Sequence, residues 1–254
     1  MKFSTYILSI LLATTLIFMP KGTWATEHSE TKSRAINDPV ELNKHGQANL
    51  ETGKYLAAML AFSNALDADP ENTEARYGLG RAYEGLGNYT ESVIQYNIIL
   101  QNTPNNPDVL HRLGVSHEML ENVEDSLRAY KKVLELDPSH AKANYRLGKH
   151  FVTMGMHNEA LHTFAGALLL NPDDINLNIG LGITYELMHK PAEAVKAFQQ
   201  AVTVSPESVM AHFHLGFNYL KLKDKVSAMK ELDILTTLDP TYADLLKKFI
   251  DTNH

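Results

Sequence analysis

Six prolines recur along the chain at a constant interval of 34 residues, and six glycines recur at the same interval. The prolines are Pro70, Pro104, Pro138, Pro172, Pro206 and Pro240, and the glycines are Gly46, Gly80, Gly114, Gly148, Gly182 and Gly216. Neither series is interrupted by an insertion or a deletion. A fixed period of this length is typical of a repeat array, in which each unit buries its apolar surface against its neighbours.

Each unit contains the pattern of two amphipathic helices. We number positions from unit starts at residues 39, 73, 107, 141, 175 and 209, so that glycine takes position 8 and proline position 32. Positions 4, 7, 8 and 11 share one face of a first helix, and positions 20, 24, 27 and 28 share one face of a second. Position 20 is always Ala or Ser, and position 24 is aromatic in five of the six units. Because glycine inside a helix costs about 1 kcal/mol relative to alanine, its recurrence predicts a close approach of the two helices.

The ends of the helices are marked by capping and turn residues. Proline at position 32 ends each second helix, because the residue before a proline is kept out of the helical region. Polar residues suited to helix N-caps follow at five unit boundaries, at Asp38, Asn72, Asn106, Asp174 and Ser208. Glycine supplies the turn between the two helices in three units, at Gly53, Gly87 and Gly155. The other three units have Glu121, His189 and Lys223 there, so those turns need not be left-handed.

The repeated unit resembles the tetratricopeptide repeat. Unit 4 has the family pattern most plainly, with Leu147-Gly148-Lys149-His150-Phe151 followed by Ala160, Phe164, Ala167 and Pro172. The resemblance covers residues 39–242 as six units, namely 39–72, 73–106, 107–140, 141–174, 175–208 and 209–242. It implies an all-α fold, a right-handed superhelical solenoid of antiparallel helix pairs with first helices lining a concave groove and second helices forming the convex back. Residues 241–252 predict one more first helix that caps the array.

Residues 1–25 have the composition of a secretory signal peptide. Lys2 supplies a positive start, Tyr6–Met19 is uncharged and mostly apolar, and Thr23 and Ala25 suit a cleavage site. This run of 14 residues is short for a membrane-spanning helix, which needs ~20; an uncleaved anchor is the alternative. The signal predicts an exported protein, periplasmic in a bacterium or, as the alternative, secreted. We expect the polar residues 26–38 to be a disordered lead-in.

The composition argues against several classes of function. Residues 1–25 contain two lysines and no acid, so the rest of the chain has 21 basic and 30 acidic residues and a net charge of −9. A sequence-independent nucleic-acid binder needs the opposite sign. Cysteine is absent, and the sequence contains no phosphate-binding loop or serine-hydrolase elbow. The 12 histidines include no pair at the i, i+4 spacing of two metal ligands on one helix. We therefore expect no enzyme, no cofactor and no metal site.

The concave positions 2, 5, 6, 9, 12 and 13 are where an array of this family would bind a partner. In units 2 to 4 these positions combine tyrosines with basic residues, whereas in units 5 and 6 they become apolar. The candidate partner-binding residues are Tyr77, Arg81, His111, Arg112, Lys142, Tyr145, Arg146, Lys149, Ile179, Ile183, Phe213 and Phe217. We expect this surface to hold a protein or peptide through an acidic group and an apolar anchor.

Structural roles can explain the same residues. The basic side chains can pair with acidic neighbours on the stacked helices, and the apolar positions of units 5 and 6 can be covered by the final helix or by a second copy of the chain. Family members that clamp chaperone C-termini use a defined set of Lys, Arg and Asn residues. Lys142 and Arg146 match one pair of that set, but Arg112 and Arg81 stand where asparagine is needed, so we reject that role.

The sequence therefore predicts a non-enzymatic scaffold or adaptor of the bacterial envelope that binds a protein or peptide partner. Two alternatives remain open at this point. The first is an accessory or targeting subunit of an envelope enzyme complex, as in cell-wall or exopolysaccharide synthesis. The second is a self-assembling scaffold, which would be a homo-oligomer. We expect neither a nucleic-acid partner nor stable membrane insertion once the signal is cleaved.

Overall fold

Helices of 13 and 14 residues alternate along the chain in the computed structural model, which describes residues 38–252. Six helix pairs and one final helix account for this range, and it contains no β-strand. The helices are α1 Pro39–Glu51, α2 Tyr55–Ala68, α3 Thr73–Gly85, α4 Tyr89–Asn102, α5 Pro107–Met119, α6 Val123–Leu136, α7 Ala141–Thr153, α8 His157–Leu170, α9 Ile175–Leu187, α10 Pro191–Val204, α11 Val209–Lys221, α12 Lys225–Leu238 and α13 Pro240–Thr252. The predicted all-α helical repeat fold is confirmed.

Every first helix of a pair begins at a side-chain N-cap. The caps expected from the sequence each accept a hydrogen bond from a backbone N–H of the first turn, which satisfies a donor that has no partner within the helix. They are Asp38, Asn72, Asn106, Asp174 and Ser208. The sixth cap is His140, whose Nδ1 accepts from the N–H of Ala143 at 3.1 Å. The sequence pattern did not suggest it, because histidine is an uncommon cap.

The turns inside all six pairs are left-handed, and this corrects the expectation for units 3, 5 and 6. Glu121, His189 and Lys223 have φ values of 60°, 57° and 63°, close to those of the glycines in the other units. The cause is the C-terminal hydrogen bonding of the first helix. The N–H of Asn122 donates to the carbonyl of His117 at 2.9 Å, and this bond requires a left-handed residue just before its donor. Backbone geometry thus overrides the side-chain preference.

The glycine at position 8 faces the aromatic residue at position 24 of its own unit. A Cβ added to Gly114 would lie 2.7 Å from the ring of Tyr130, and one added to Gly148 would lie 2.5 Å from the ring of Phe164. Both rings are fully buried. The predicted close approach is therefore confirmed, and it brings the first helix against the face of an aromatic ring. In unit 6, where position 24 is Leu232, Gly216 instead faces Leu246 of α13.

The final helix α13 packs against both helices of unit 6 and buries Ala243, Leu246 and Ile250. Within residues 38–252, no helix is long and apolar enough to cross a membrane. The predicted signal peptide, residues 1–25, and all of the predicted lead-in except Asp38 lie outside the described residues. They remain predictions.

Candidate partner-binding groove

The first helices form the inner side of the array. Cα atoms of α1 and α3, of α7 and α9, of α9 and α11, and of α11 and α13 approach within 8 Å, whereas successive second helices make at most marginal backbone contact. The array is therefore tighter on the side of the first helices, which makes this the concave face. We call the surface of the first helices on this side the groove. All twelve candidate residues belong to these helices.

A partly buried ion pair connects units 2 and 3 across the groove. Arg112 Nη1 donates to Glu84 Oε2 at 2.9 Å, and the hydroxyl of Tyr96 donates to Glu84 Oε1 at 3.0 Å. Burial and then the negative charge of Glu84 raise the pKa of Tyr96 far above its usual value, so the phenol stays protonated and keeps its role as a donor. The three side chains act as one linked group, in which the carboxylate satisfies both a cation and a buried hydroxyl.

The same arrangement recurs between units 3 and 4. Arg146 Nη1 lies 3.0 Å and 3.1 Å from the two carboxylate oxygens of Glu118, and the hydroxyl of Tyr130 donates to Glu118 Oε2 at 2.9 Å. Lys149 Nζ is 3.9 Å from the same carboxylate. One negative charge thus faces two positive charges, and this junction has an excess of positive charge.

A third pair connects units 5 and 6 with histidine in place of arginine. His214 Nδ1 lies 2.8 Å from Glu186 Oε2. Position 24 of unit 5 is Phe198, which has no hydroxyl to donate, and its ring stacks on His214 with centroids 5.1 Å apart and planes at 14°. In all three cases the acid occupies position 12 of one unit and its partner occupies position 6 of the next.

The two remaining junctions use glycine at position 6 instead of a charged residue. A Cβ added to Gly78 would overlap the ring of Phe62, and one added to Gly180 would lie 2.6 Å from Phe164. These are the junctions at which α1 approaches α3 and α7 approaches α9, while α3, α5 and α7 make at most marginal backbone contact with one another. Glycine at position 6 therefore lets successive first helices approach each other closely, with a phenylalanine ring packed against the glycine.

The basic candidates divide into paired and unpaired side chains. Arg112, Arg146 and Lys149 take part in the ion pairs above, so the alternative of pairing with acidic neighbours holds for these three. Arg81 and Lys142 form no ion pair with any of residues 38–252, and Lys142 is exposed. Lys142 is therefore the groove cation that is most available to a partner.

The aromatic candidates at position 5 are half-buried and lean on the aromatic residue of their own unit. Ring centroids are 6.0 Å apart for Tyr77 and Tyr96, and 6.4 Å apart for Tyr145 and Phe164. Each ring therefore lies partly in the core and partly on the surface of the groove.

His111 takes the same position in unit 3. Its ring centroid lies 5.9 Å from that of Tyr130 and 5.1 Å from that of His140. Burial and then the positive charge of His140 lower the pKa of His111 to about 4, so this ring is neutral at pH 7.

The apolar candidates of units 5 and 6 are largely used in packing. Ile179 is 9% exposed and belongs to a core cluster with Phe198. The expectation that it lines a solvated surface is wrong, because it packs in this cluster with Phe198 of its own unit and with Ala211 and Leu215 of the next unit. Ile183 is half-buried against the same cluster.

The two phenylalanines of unit 6 pack against the final helix. The centroids of Phe217 and Phe249 are 5.1 Å apart, and those of Phe213 and Tyr242 are 5.4 Å apart. Coverage by α13 therefore explains much of their apolar character. Both side chains remain only half-buried, so part of each ring still faces the groove.

Sequence reasoning missed the link between positions 6, 12 and 24 of neighbouring units. Tyrosine at position 24 occurs with glutamate at position 12 and arginine at position 6 of the next unit. In units 1 and 4, phenylalanine at position 24 occurs with an aliphatic residue at position 12 of the same unit and with glycine at position 6 of the next unit. Comparing these three columns along the aligned units would have revealed the two types of junction.

No group of three or more potential metal ligands comes together within residues 38–252. The fold defines an all-helical repeat protein. One tetratricopeptide repeat model matches residues 43–107 and 179–243, and a second model of the same repeat matches residues 119–182. The chain belongs to the tetratricopeptide repeat family. No curated protein is similar enough in sequence to be matched to it.

Several solved structures share the fold. A crystal structure of MamA is 23% identical with a TM-score of 0.59, and the match covers 66% of this chain and 92% of that one. PilF of Pseudomonas aeruginosa is 15% identical with a TM-score of 0.70, covering 83% of this chain and 96% of that one. YrrB, described as a tetratricopeptide repeat protein with an unusual peptide-binding site, is 21% identical with a TM-score of 0.57, covering 72% and 94%. At these identities the likeness shows the fold alone.

Proposed function

We propose that this protein is a non-enzymatic scaffold of the bacterial envelope that binds a protein or peptide partner in its groove. The observation that carries the proposal is the excess of positive charge at unit 4. One carboxylate, Glu118, serves both Arg146 and Lys149, and Lys142 has no acidic partner within the described residues. This local excess occurs in a chain with a formal net charge of −7. An acidic group of a partner would neutralise it.

Apolar side chains on the first helices of units 5 and 6, C-terminal to this cationic site, supply the second half of the recognition. Leu187 at the end of α9 and Met210 at the start of α11 are each 45% exposed, and Ile183 lies half-buried on α9. Exposed apolar side chains on a face that also carries unpaired cations favour an acidic segment with an apolar anchor. The peptide-binding site described for YrrB supports the use of this fold for such a ligand. Phe213 and Phe217 contribute the parts of their rings that α13 leaves open.

A photo-crosslinking experiment in cells tests the site. We would place a photoreactive residue at position 142 in the groove and, as the matched control, at position 162 on α8, where His162 is also exposed. We expect a partner from the envelope fraction to crosslink at position 142 and not at 162. The variant Lys142→Glu should lose the partner, whereas Lys196→Glu on α10 should retain it. Equal crosslinking at both positions, or full binding by Lys142→Glu, would overturn the proposal.

Export is part of the proposal and has a separate test. If residues 1–25 are a signal peptide, the mass of the protein recovered from the envelope fraction should correspond to a chain that begins at Thr26. A full-length chain that is retained in the cytoplasm would contradict the envelope role while leaving the groove proposal untouched.

A further inference from the structure

The three glutamates at position 12 of the groove have different partners. Glu84 and Glu118 are each paired with an arginine of the next unit. Glu186 accepts instead from His214 Nδ1 at 2.8 Å and from Asn218 Nδ2 at 3.3 Å. Arginine is charged at every pH, whereas imidazole is charged only when protonated and an amide never is. Among residues 38–252, Glu186 is therefore the one glutamate of the three without a permanently charged partner.

Two acceptor atoms at this place are left for a ligand. Both hydrogen bonds to Glu186 use Oε2, and the side chain is 20% exposed, so Oε1 can be reached from the groove. Asn218 is only 1% exposed, and its Oδ1 is buried without a hydrogen-bond partner in the described part of the chain. Buried acceptors that lack a donor cost free energy. A ligand that brings N–H donors and a positive charge would satisfy them.

The surroundings of Glu186 suit an organic cation. Glu186 is the only Asp, Glu, Lys or Arg residue of α9, and Lys221 is the only one of α11. The Nζ atom of Lys221 lies 5.0 Å from the ring centroid of Phe217 and forms no ion pair with any of residues 38–252. The face of an aromatic ring attracts positive charge. The contact of Lys221 shows that the ring of Phe217 accepts an ammonium group on this side of the array.

We propose that Glu186 and Asn218 form a second binding site of the groove, the basic subsite, which takes a positively charged side chain of the partner. The inference rests on the proposed function for the partner itself, whose acidic group binds at Lys142. A segment with acidic groups alone would leave Glu186 without a cation, and one with basic groups alone would be repelled by unit 4. The groove therefore selects a segment that carries both signs of charge.

The distance between the two sites sets the spacing of the two charges in the partner. Lys142 occupies position 2 of its unit and Glu186 position 12 of the next. Ten helical residues span ~15 Å along the axis, and α7 and α9, which approach each other closely, lie ~9 Å apart as packed helices do. Together these displacements give ~18 Å, which an extended chain covers in about five residues. We therefore expect the acidic and basic residues of the partner about five positions apart.

Two other ways to satisfy Glu186 are weaker. A protonated His214 would neutralise it without a ligand, but His214 donates through Nδ1 in either charge state and keeps this bond when a basic group arrives. A metal ion would find a single free carboxylate oxygen, because Oε2 already accepts two hydrogen bonds. Ca²⁺ takes about 6–8 oxygen ligands. Both alternatives are outcomes of the test below.

The first test examines the basic subsite without the partner. In NMR titrations at low salt, acetyl-lysine methylamide should shift amide resonances of α9 and α11 around Glu186, with millimolar affinity, whereas acetyl-glutamine methylamide should not. Glu186→Gln should weaken binding about fivefold or more. His214→Arg should do the same, because it supplies the internal cation that the other two glutamates have. Glu193→Gln, at an exposed residue of α10, is the matched control and should bind as the wild type does.

Three results of this titration would overturn the proposal. They are the absence of any shift at α9 and α11, equal binding by Glu186→Gln, and equal shifts with calcium chloride, which would indicate a metal site. Unchanged binding by His214→Arg would mean that the carboxylate does not recognise the charge of the ligand, and it would have the same consequence. Amide spectra of each variant without ligand show whether it is folded.

The second test measures the spacing with acetylated, amidated peptides that carry one glutamate and one lysine, in either order. Fluorescence anisotropy should show the tightest binding when the two residues are about five positions apart, and weaker binding when they are adjacent. Lys142→Gln should remove only the contribution of the glutamate, and Glu186→Gln only that of the lysine. If the lysine contributes and the glutamate does not, the proposed acidic site is wrong and the basic subsite stands. If only the glutamate contributes, the basic subsite is wrong and the proposed function stands.

Discussion

The junction between units 3 and 4 and the junction between units 4 and 5 solve the same packing problem in opposite ways. At the first, Tyr130, Glu118 and Arg146 form a linked polar group, and the two first helices make at most marginal backbone contact. At the second, Gly180 sits against the ring of Phe164, and the two first helices approach within 8 Å. The repeat period is the same at both. The choice between the two is made by positions 6, 12 and 24.

The polar junctions place charged side chains on the groove, and the glycine junctions do not. A charged side chain at position 6 bridges successive first helices and presents its polar group on the concave face. Glycine at position 6 lets successive first helices approach closely, and it presents no side chain on the concave face. Units 2 to 4 are therefore the polar section of the groove, and the first closed junction C-terminal to them lies between units 4 and 5.

The largest effect is expected from replacing the glycine spacer. Gly180→Arg would place a long side chain where a Cβ alone already comes within 2.6 Å of Phe164, and overpacking of this kind costs about 3 kcal/mol or more. Gly166→Arg is the matched control, because a Cβ at Gly166 of α8 meets no atom within 4 Å. Because glycine is unfavourable inside a helix, its replacement should leave the stability of this control unchanged or raise it by up to ~1 kcal/mol. Urea unfolding monitored by circular dichroism measures the change in the free energy of unfolding for both variants.

A triple exchange sharpens the same comparison. Val152→Glu, Phe164→Tyr and Gly180→Arg together reproduce the residues of the junction between units 3 and 4. Since the new arginine and tyrosine would then share a carboxylate, the triple variant should recover part of the stability that Gly180→Arg loses. No recovery at all would show that the junction type is not set by these three positions.

Acid should weaken the polar junction before the glycine junction. The pKa of His111 is lowered to about 4 by burial, so between pH 6.5 and pH 4 the unfolded chain binds a proton at this residue that the folded chain does not. Stability is therefore lost as the pH falls through this window, by about 2 kcal/mol once solvent screening at this half-buried side chain is allowed for. The groups around His111 give it no negative charge; they are Tyr130, His140, Arg112, Arg146 and Lys142.

The control for the acid effect is His111→Gln, which cannot take up a proton. Urea midpoints of the two proteins should differ less at pH 4.5 than at pH 7, and amide exchange in α5 and α7 should accelerate in the wild-type protein alone. A wild-type protein whose midpoint is flat across this pH window would contradict the predicted role of His111.

The carboxylate of the polar junction should matter less than the glycine spacer. Glu118→Ala would leave Arg146, Lys149 and the buried hydroxyl of Tyr130 without their acceptor, at a cost of about 1–2 kcal/mol. Glu135→Ala removes an exposed ion pair with Lys132 whose atoms are 2.9 Å apart, and such pairs contribute about 0.5 kcal/mol or less. Thermal unfolding of the two variants at low and high salt compares their losses of stability. Equal losses in the two variants would mean that the polar group is no more than a surface ion pair.

The sequence was sufficient for the features that the side-chain pattern of one unit specifies. The period, five of the six N-caps and the pairing of glycine with an aromatic ring depend on residues of the same unit or on the boundary beside it. The features it missed depend on backbone geometry or on a neighbouring unit. Glu121 is left-handed because a helix-ending hydrogen bond requires it. Ile179 is buried because it packs in one cluster with Ala211 and Leu215 of the next unit.

The smallest effect expected at these junctions is that of one hydroxyl, and it tests whether tyrosine or glutamate defines the polar type. Tyr130→Phe removes the 2.9 Å hydrogen bond to Glu118 and keeps the ring that packs against Gly114, so it should cost about 1 kcal/mol. Tyr55→Phe, at a residue that is 38% exposed, should be neutral. If Tyr130→Phe is also neutral, the ion pair alone holds the junction, because Arg146 still neutralises Glu118. A double-mutant cycle with Arg146→Leu then decides how the stabilisation is divided between the hydroxyl and the guanidinium.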